Sequence, residues 1–149
     1  MTASLIEKPE LEELAAGLAK RILIIEDEPA VAEVLALRLE RLGFKASWTS
    51  SGRTGLAMAQ AEHPDLVILD LHLPDADGLS ICQELSDGQL TADIPVIVVS
   101  GLDEPNIVRQ ARSAGCKFFL RKPYDPNALL VLIQHCLDEK ESWECSPEA

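Results

Sequence analysis

Short apolar, β-branched runs recur along the chain, and each is followed by a segment with helical periodicity. The runs fall at Arg21–Glu26, Phe44–Thr49, Asp65–Leu71, Pro95–Ser100 and Lys117–Leu120. Their length and Val/Ile content suit strands covered on both faces, the environment of a parallel sheet. In the first intervening segment, Val31, Val34, Leu35, Leu39 and Leu42 approach a 3.6-residue spacing, with Pro29 placed to open a helix and Gly43 to stop it. Further helical patterns cover about residues 52–62, 79–85 and 104–114, the last stopped by Gly115. A final one follows Pro126, with Leu129, Leu130, Ile133 and Leu137 on one side. Five strands alternating with five helices predict a doubly wound α/β fold, a five-stranded parallel sheet with helices on both faces.

Residues 21–138 hold this pattern. Residues 1–20 form an N-terminal extension whose Leu5, Leu11, Leu14 and Leu18, interrupted by Gly17, predict a weakly amphipathic helix packed on the domain, a frayed arm, or a weak homodimer contact. Residues 139–149 form a short acidic tail. The chain carries 13 Lys+Arg against 25 Asp+Glu, a formal net charge of −12. Such a surface repels phosphate backbones and anionic lipid headgroups, which argues against nucleic-acid and membrane partners. No apolar run is long enough to span a bilayer, and no basic-then-apolar leader is visible. Cys82, Cys116, Cys136 and Cys145 are scattered without a C-x-x-C spacing and read as buried thiols in a reducing compartment, the cytoplasm.

In doubly wound sheets, chemistry sits beyond the carboxyl ends of the strands. The first strand ends in Glu26-Asp27-Glu28, the third in Asp70 and the fourth in Ser100, while Lys122-Pro123 follows the fifth. Carboxylates converging this closely repel one another unless a cation lies among them, and hard oxygen ligands select Mg²⁺. Magnesium uses one or two carboxylates together with a phosphoryl oxygen, so the set reads as a site for metal and phosphoryl group together. Asp70 is placed to attack phosphorus as a carboxylate nucleophile. Lys122 and Mg²⁺ would neutralise the phosphoryl oxygens, and Ser100 would donate a hydrogen bond to one of them. Asp75 and Asp77 read as turn and cap residues before Gly78.

With ILIIEDEP at the first strand, DLVILDLHLPDADGL around the third, IPVIVVSG at the fourth and AGCKFFLRKPY at the fifth, residues 21–138 resemble a receiver domain of a two-component response regulator. The resemblance implies a flavodoxin-like strand order of 2-1-3-4-5 and Asp70 as phospho-acceptor. It implies Asp27 and Asp70 as direct metal ligands, with Glu26 acting through water and the backbone carbonyl of His72 completing the site. Ser100 matches the switch hydroxyl, Lys122 the phosphate-binding lysine, and Phe119 the switch aromatic, commonly Tyr. A cis Lys122–Pro123 peptide is also implied. Partners implied are a sensor histidine kinase or histidine phosphotransfer protein and a downstream protein target, met through the fourth helix, fifth strand and fifth helix. Only slow self-phosphorylation and self-dephosphorylation are expected, not turnover of a free substrate.

Three alternatives are weaker. A flavin-binding flavodoxin needs a Ser/Thr/Gly-rich phosphate loop after the first strand, where this chain has Glu-Asp-Glu-Pro. An aspartate-nucleophile phosphatase of the haloacid dehalogenase type needs a second carboxylate two residues after the nucleophile, where His72 stands. A degenerate receiver, binding partners without phosphorylation, is disfavoured because every member of the site set is present.

Overall fold

The computed structural model describes residues 19–144, with side chains as far as residue 139. The elements alternate throughout: β1 (Arg21–Ile25), α1 (Pro29–Arg41), β2 (Lys45–Thr49), α2 (Gly52–Glu62), β3 (Leu66–Asp70), α3 (Gly78–Asp87), β4 (Val96–Ser100), α4 (Ile107–Ser113), β5 (Phe118–Arg121) and α5 (Pro126–Glu144). All strand pairs are parallel, in the order β2-β1-β3-β4-β5. The predicted fold class and strand order hold. The leucine pattern at residues 5–18 lies outside the described residues.

The period-2 alternation of the strands divides the core. Leu23, Ile25, Val67, Leu69, Val96 and Val98 face α2, α3 and α4. Ile22, Ile24, Leu66, Ile68, Ile97 and Val99 face α1 and α5. The inner strands β3 and β4 are buried along their whole length, which is why they read as unbroken apolar runs. Gly43 (φ 98°) and Gly115 (φ 103°) adopt the left-handed conformation, reversing the chain after α1 and α4.

Three features depart from the sequence pattern. On α1 the buried residues are Ala32, Ala36 and Leu39, while Val31, Val34 and Leu42 of the expected stripe are exposed. The two alanines let the helix approach the sheet closely, and a pattern weighted towards large side chains overlooks them. The fourth helix starts at Ile107 rather than near residue 104, because Asn106 takes a left-handed backbone (φ 68°) immediately before it. Finally, α5 continues to Glu144, past the point at residue 138 where the acidic tail was placed.

Cys82, Cys116 and Cys136 are buried free thiols, as expected, and Cys145 lies outside the described residues. Burial pushes the Cys82 thiol up to about 12 and that of Cys136 to about 11, so both stay protonated and inert near neutrality.

Candidate functional site

The β1–β3 register sets Ile25 beside Leu69, so the residues that follow, Glu26 and Asp70, lie level at the carboxyl edge of the sheet. Both are buried, with Asp27 half-buried beside them. Oxygens of Glu26, Asp27 and Asp70 all lie within 4.8 Å of one another. Beyond β5, the Lys122 ammonium reaches back into the group. Its Nζ donates to Oε1 of Glu26 at 2.7 Å and to Oδ2 of Asp70 at 3.1 Å. The Lys122–Pro123 peptide is cis. Three acids and one lysine thus meet from strand ends separated by as much as 96 residues of chain.

The backbone holds these groups in place. The amide of Glu28 donates to Oε2 of Glu26 at 3.2 Å, and the amide of His72 donates to Oδ1 of Asp70 at 3.0 Å. Ser100 is fully buried at the end of β4. Its hydroxyl oxygen accepts from the Leu102 amide at 3.1 Å, and its carbonyl accepts from the Lys122 amide at 2.8 Å. Ser100 is thereby tied through its side chain to the segment after β4 and through its backbone to Lys122.

The electrostatics are those of acids crowded in a poorly hydrated space. Burial raises the Glu26 carboxyl to about 7, helped by a hydrogen bond with Asp27 and opposed by Lys122. Burial also acts to raise Asp27, but hydrogen bonds with the Glu26 and Asp70 carboxyls and the charge of Lys122 outweigh it and lower the group. The crowding thus acts on the two neighbours in opposite directions, raising Glu26 and lowering Asp27. Desolvation acts to lower Lys122, yet its bond to Glu26 and the charge of Asp70 prevail and raise it, so the ammonium stays charged. The donor set is all oxygen and closely grouped, which fits a hard divalent cation such as Mg²⁺.

Residues 71–77 carry the chain away from Asp70 and are anchored at both ends. Gly78 sits against the Leu71 backbone: a Cβ there would lie 2.3 Å from the Leu71 Cα. Asp77 caps α3 through the Leu79 amide at 3.1 Å, as expected. Asp75 acts at longer range. It accepts from the Gly52 amide at 2.8 Å, the Arg53 amide at 3.0 Å and the Ser51 hydroxyl at 2.8 Å, capping α2 rather than its own turn. These three bonds hold its carboxyl down at about 2. Nothing local in the sequence marks that contact. The His72 side chain is exposed, and its field contributes slightly to lowering Asp27.

Phe119 lies two residues before the end of β5, in register with Val98, half-buried against the cluster under α2–α4. The Arg121 guanidinium lies 5.9 Å from its ring centroid and donates to the Leu102 carbonyl at 3.0 Å. The aromatic and the segment after Ser100 are therefore linked through one arginine.

A doubly wound sheet with buried acids, a hydroxyl and an ammonium at one carboxyl edge defines an α/β domain whose site gathers three carboxylates around one ammonium. The response regulator receiver domain family matches residues 22–134, and the chain belongs to that family. It is 37% identical over 117 residues to the "DNA-binding dual master transcriptional regulator RpaA" of Synechocystis, covering 78% of this chain and 48% of RpaA. It is 32% identical to the "Response regulator PleD" of Caulobacter vibrioides, covering 78% of this chain and 26% of PleD. The chain thus spans about half or less of these relatives' lengths. Among solved structures, a CheY-like receiver from Methanospirillum hungatei superposes with a TM-score of 0.78 at 29% identity, covering 83% of this chain and 98% of that one. A receiver domain of a histidine kinase from Syntrophus aciditrophicus gives 0.76 at 31% identity, covering 81% and 92%. Residues 22–134 are a receiver domain of two-component signalling, and the phosphorylation-independent reading is not favoured. Among the described residues, no helix is long and apolar enough to cross a membrane.

Proposed function

We propose that Asp70 accepts a phosphoryl group from a phosphohistidine on a sensor histidine kinase or phosphotransfer protein, and that the acyl phosphate changes affinity for a protein target. The observation that carries this reading is the Lys122 ammonium bonded to both Glu26 and Asp70 within a buried acid cluster. In the transfer, an Asp70 carboxylate oxygen forms the new bond to phosphorus as the bond from phosphorus to the histidine nitrogen breaks, and the histidine takes up a proton. Lys122 compensates charge on the phosphoryl oxygens and Ser100 donates to one of them. Asp27 and Asp70 would hold Mg²⁺ directly, with Glu26 acting through water and the His72 carbonyl completing the set. When bound, the ion supplies charge neutralisation on the transferring group.

The Ser100 side chain accepts a backbone amide at its oxygen, which leaves its proton to turn towards a phosphoryl oxygen. Such a turn pulls on the Leu102 segment, and through Arg121 on Phe119. The α4–β5–α5 face then reads the change. Phe119 has no hydroxyl to satisfy, so its inward position carries no polar burial cost. Slow self-phosphorylation from small donors and slow self-dephosphorylation accompany this role. Residues 21–138 carry the receiver site and act in the cytoplasm, with the last helix running on to Glu144. Their acidity keeps this domain itself away from nucleic acid. Incubation with acetyl phosphate and Mg²⁺ tests the reading: intact mass should rise by one phosphoryl group, and excess EDTA should abolish the gain. Unchanged mass with Mg²⁺ present would reject it.

A further inference from the structure

The chain that follows Asp70 doubles back on itself. The Gly78 amide donates to the Leu71 carbonyl at 3.1 Å, and His72 pairs with Asp77 in an antiparallel bridge. Residues 71–78 therefore form a short hairpin, with its neck beside the phospho-acceptor and residues 73–76 at its tip. Its own backbone closes the neck, whereas the amino end of α2 holds the tip from outside.

Two observations define that hold. Asp75 accepts from the Ser51 hydroxyl at 2.8 Å, the Gly52 amide at 2.8 Å and the Arg53 amide at 3.0 Å. A carboxylate at the amino end of a helix also complements the helix dipole. Gly52 in turn seats the apolar part of the tip: a Cβ there would lie 2.9 Å from Leu73 Cδ1 and 3.4 Å from Ala76 Cβ. The same turn leads back to the acid cluster. The Ser51 amide donates to Oγ1 of Thr49 at 3.2 Å, and the Thr49 carbonyl accepts from the Glu26 amide at 3.1 Å. The hairpin carrying His72 and the strand end carrying Glu26 are thus fastened to one anchor, the turn between β2 and α2.

We propose that Asp75 is a positioning residue for the metal site: by fixing the hairpin tip to α2, it sets the distance between the His72 backbone carbonyl and the carboxylates at the end of β1. The inference rests on the receiver reading above, in which that carbonyl completes the Mg²⁺ set. Magnesium demands near-ideal octahedral geometry at short ligand distances, so a ligand that drifts out of place costs affinity. A hairpin held only at its neck is free to tilt, and with it the carbonyl of the neck residue. Asp75 lies outside the acid cluster and acts through His72 alone. Groups that orient a ligand without touching the ion contribute to metal affinity in this way.

Calorimetric titration of the full chain with Mg²⁺ tests the assignment. Asp75→Ala should weaken binding about tenfold, the lower end of the loss that follows removal of a group orienting a metal ligand. Asp75→Asn keeps an acceptor for the Gly52 amide but not a second one for Arg53, so its affinity should fall between the two. It carries the comparison if Asp75→Ala does not fold. Thr91→Val serves as the control for general loosening. It removes a buried hydrogen bond to the Leu85 carbonyl at 2.7 Å, in the connection before β4 at the opposite edge of the sheet, and should bind Mg²⁺ as the wild type does. Wild-type affinity in the folded Asp75 variants, or an equal loss in Thr91→Val, would overturn the proposal while leaving the receiver reading intact. A wild-type chain that binds no Mg²⁺ would remove that reading and the proposal with it.

Discussion

The Lys122 ammonium lies 3.1 Å from Oδ2 of Asp70, a residue 52 positions earlier in the chain, and the same nitrogen lies 2.7 Å from Glu26. One cation therefore serves two buried acids. Lys122→Met removes it while keeping the stem volume. Labelling of Asp70 by acetyl phosphate should fall at least tenfold, in line with the loss of one charge-assisted hydrogen bond of about 1.5–3 kcal/mol. Lys122→Arg should recover only part of the rate, because a planar fork does not reproduce a point charge bonded to two separate carboxylates. Time courses of intact mass check both variants.

The raised Glu26 gives the metal-free protein a specific pH dependence. Its folded-state value of about 7 exceeds its ordinary 4.5, so the folded state binds more protons than the unfolded state between those values. Stability from this group is fully present below pH 4.5 and is lost as pH rises towards 7, by up to about 3 kcal/mol for Glu26 alone. Asp27 acts in the opposite sense and in a lower window, since its lowered carboxyl contributes stability that is lost as pH falls below the ordinary aspartate range. Urea midpoints in EDTA should decline from pH 4.5 to 7, and Glu26→Gln should flatten that decline.

Mg²⁺ binding should release protons. A cation entering among Glu26, Asp27 and Asp70 favours the ionised form of the raised Glu26 carboxyl, so affinity should rise by up to tenfold per pH unit between pH 6 and 7 and level off above that. Calorimetry in two buffers of different ionisation enthalpy counts the protons released. Glu26→Gln should bind with no proton release in this range.

Gly78 is fixed by packing against the loop that follows the phospho-acceptor. Gly78→Ala places a methyl 2.3 Å from the Leu71 Cα and 2.6 Å from its carbonyl oxygen, backbone atoms that move only with the whole loop. A loss of about 2–4 kcal/mol in urea unfolding is expected. Labelling should slow as well, because Leu71 directly follows Asp70.

The site was legible because its members stand where apolar runs stop. Glu26, Asp70 and Ser100 each terminate or directly follow a β-branched stretch, and a parallel sheet brings all such ends to one edge. What stayed hidden depends on tertiary distance or on small side chains. The Asp75 cap on α2 joins residues 22 to 24 positions apart, and a local reading makes Asp75 an ordinary turn acid. Ala32 and Ala36 bury α1 without adding weight to an apolar pattern, while the larger Val34 and Leu37 point outward. Asn106 shortens α4 through a left-handed conformation that only the backbone reveals. The length of α5 was hidden by charge, since Glu139, Lys140 and Glu141 read as tail yet continue a helix.

The central claim is that residue 70 itself carries the phosphoryl group. After labelling with acetyl phosphate and Mg²⁺, borohydride reduction converts an aspartyl phosphate to homoserine, and peptide mass spectrometry locates the change. Homoserine at position 70, absent from Asp70→Asn, is the predicted result. Homoserine at Asp27 or Asp75, or equal labelling of Asp70→Asn, would contradict it.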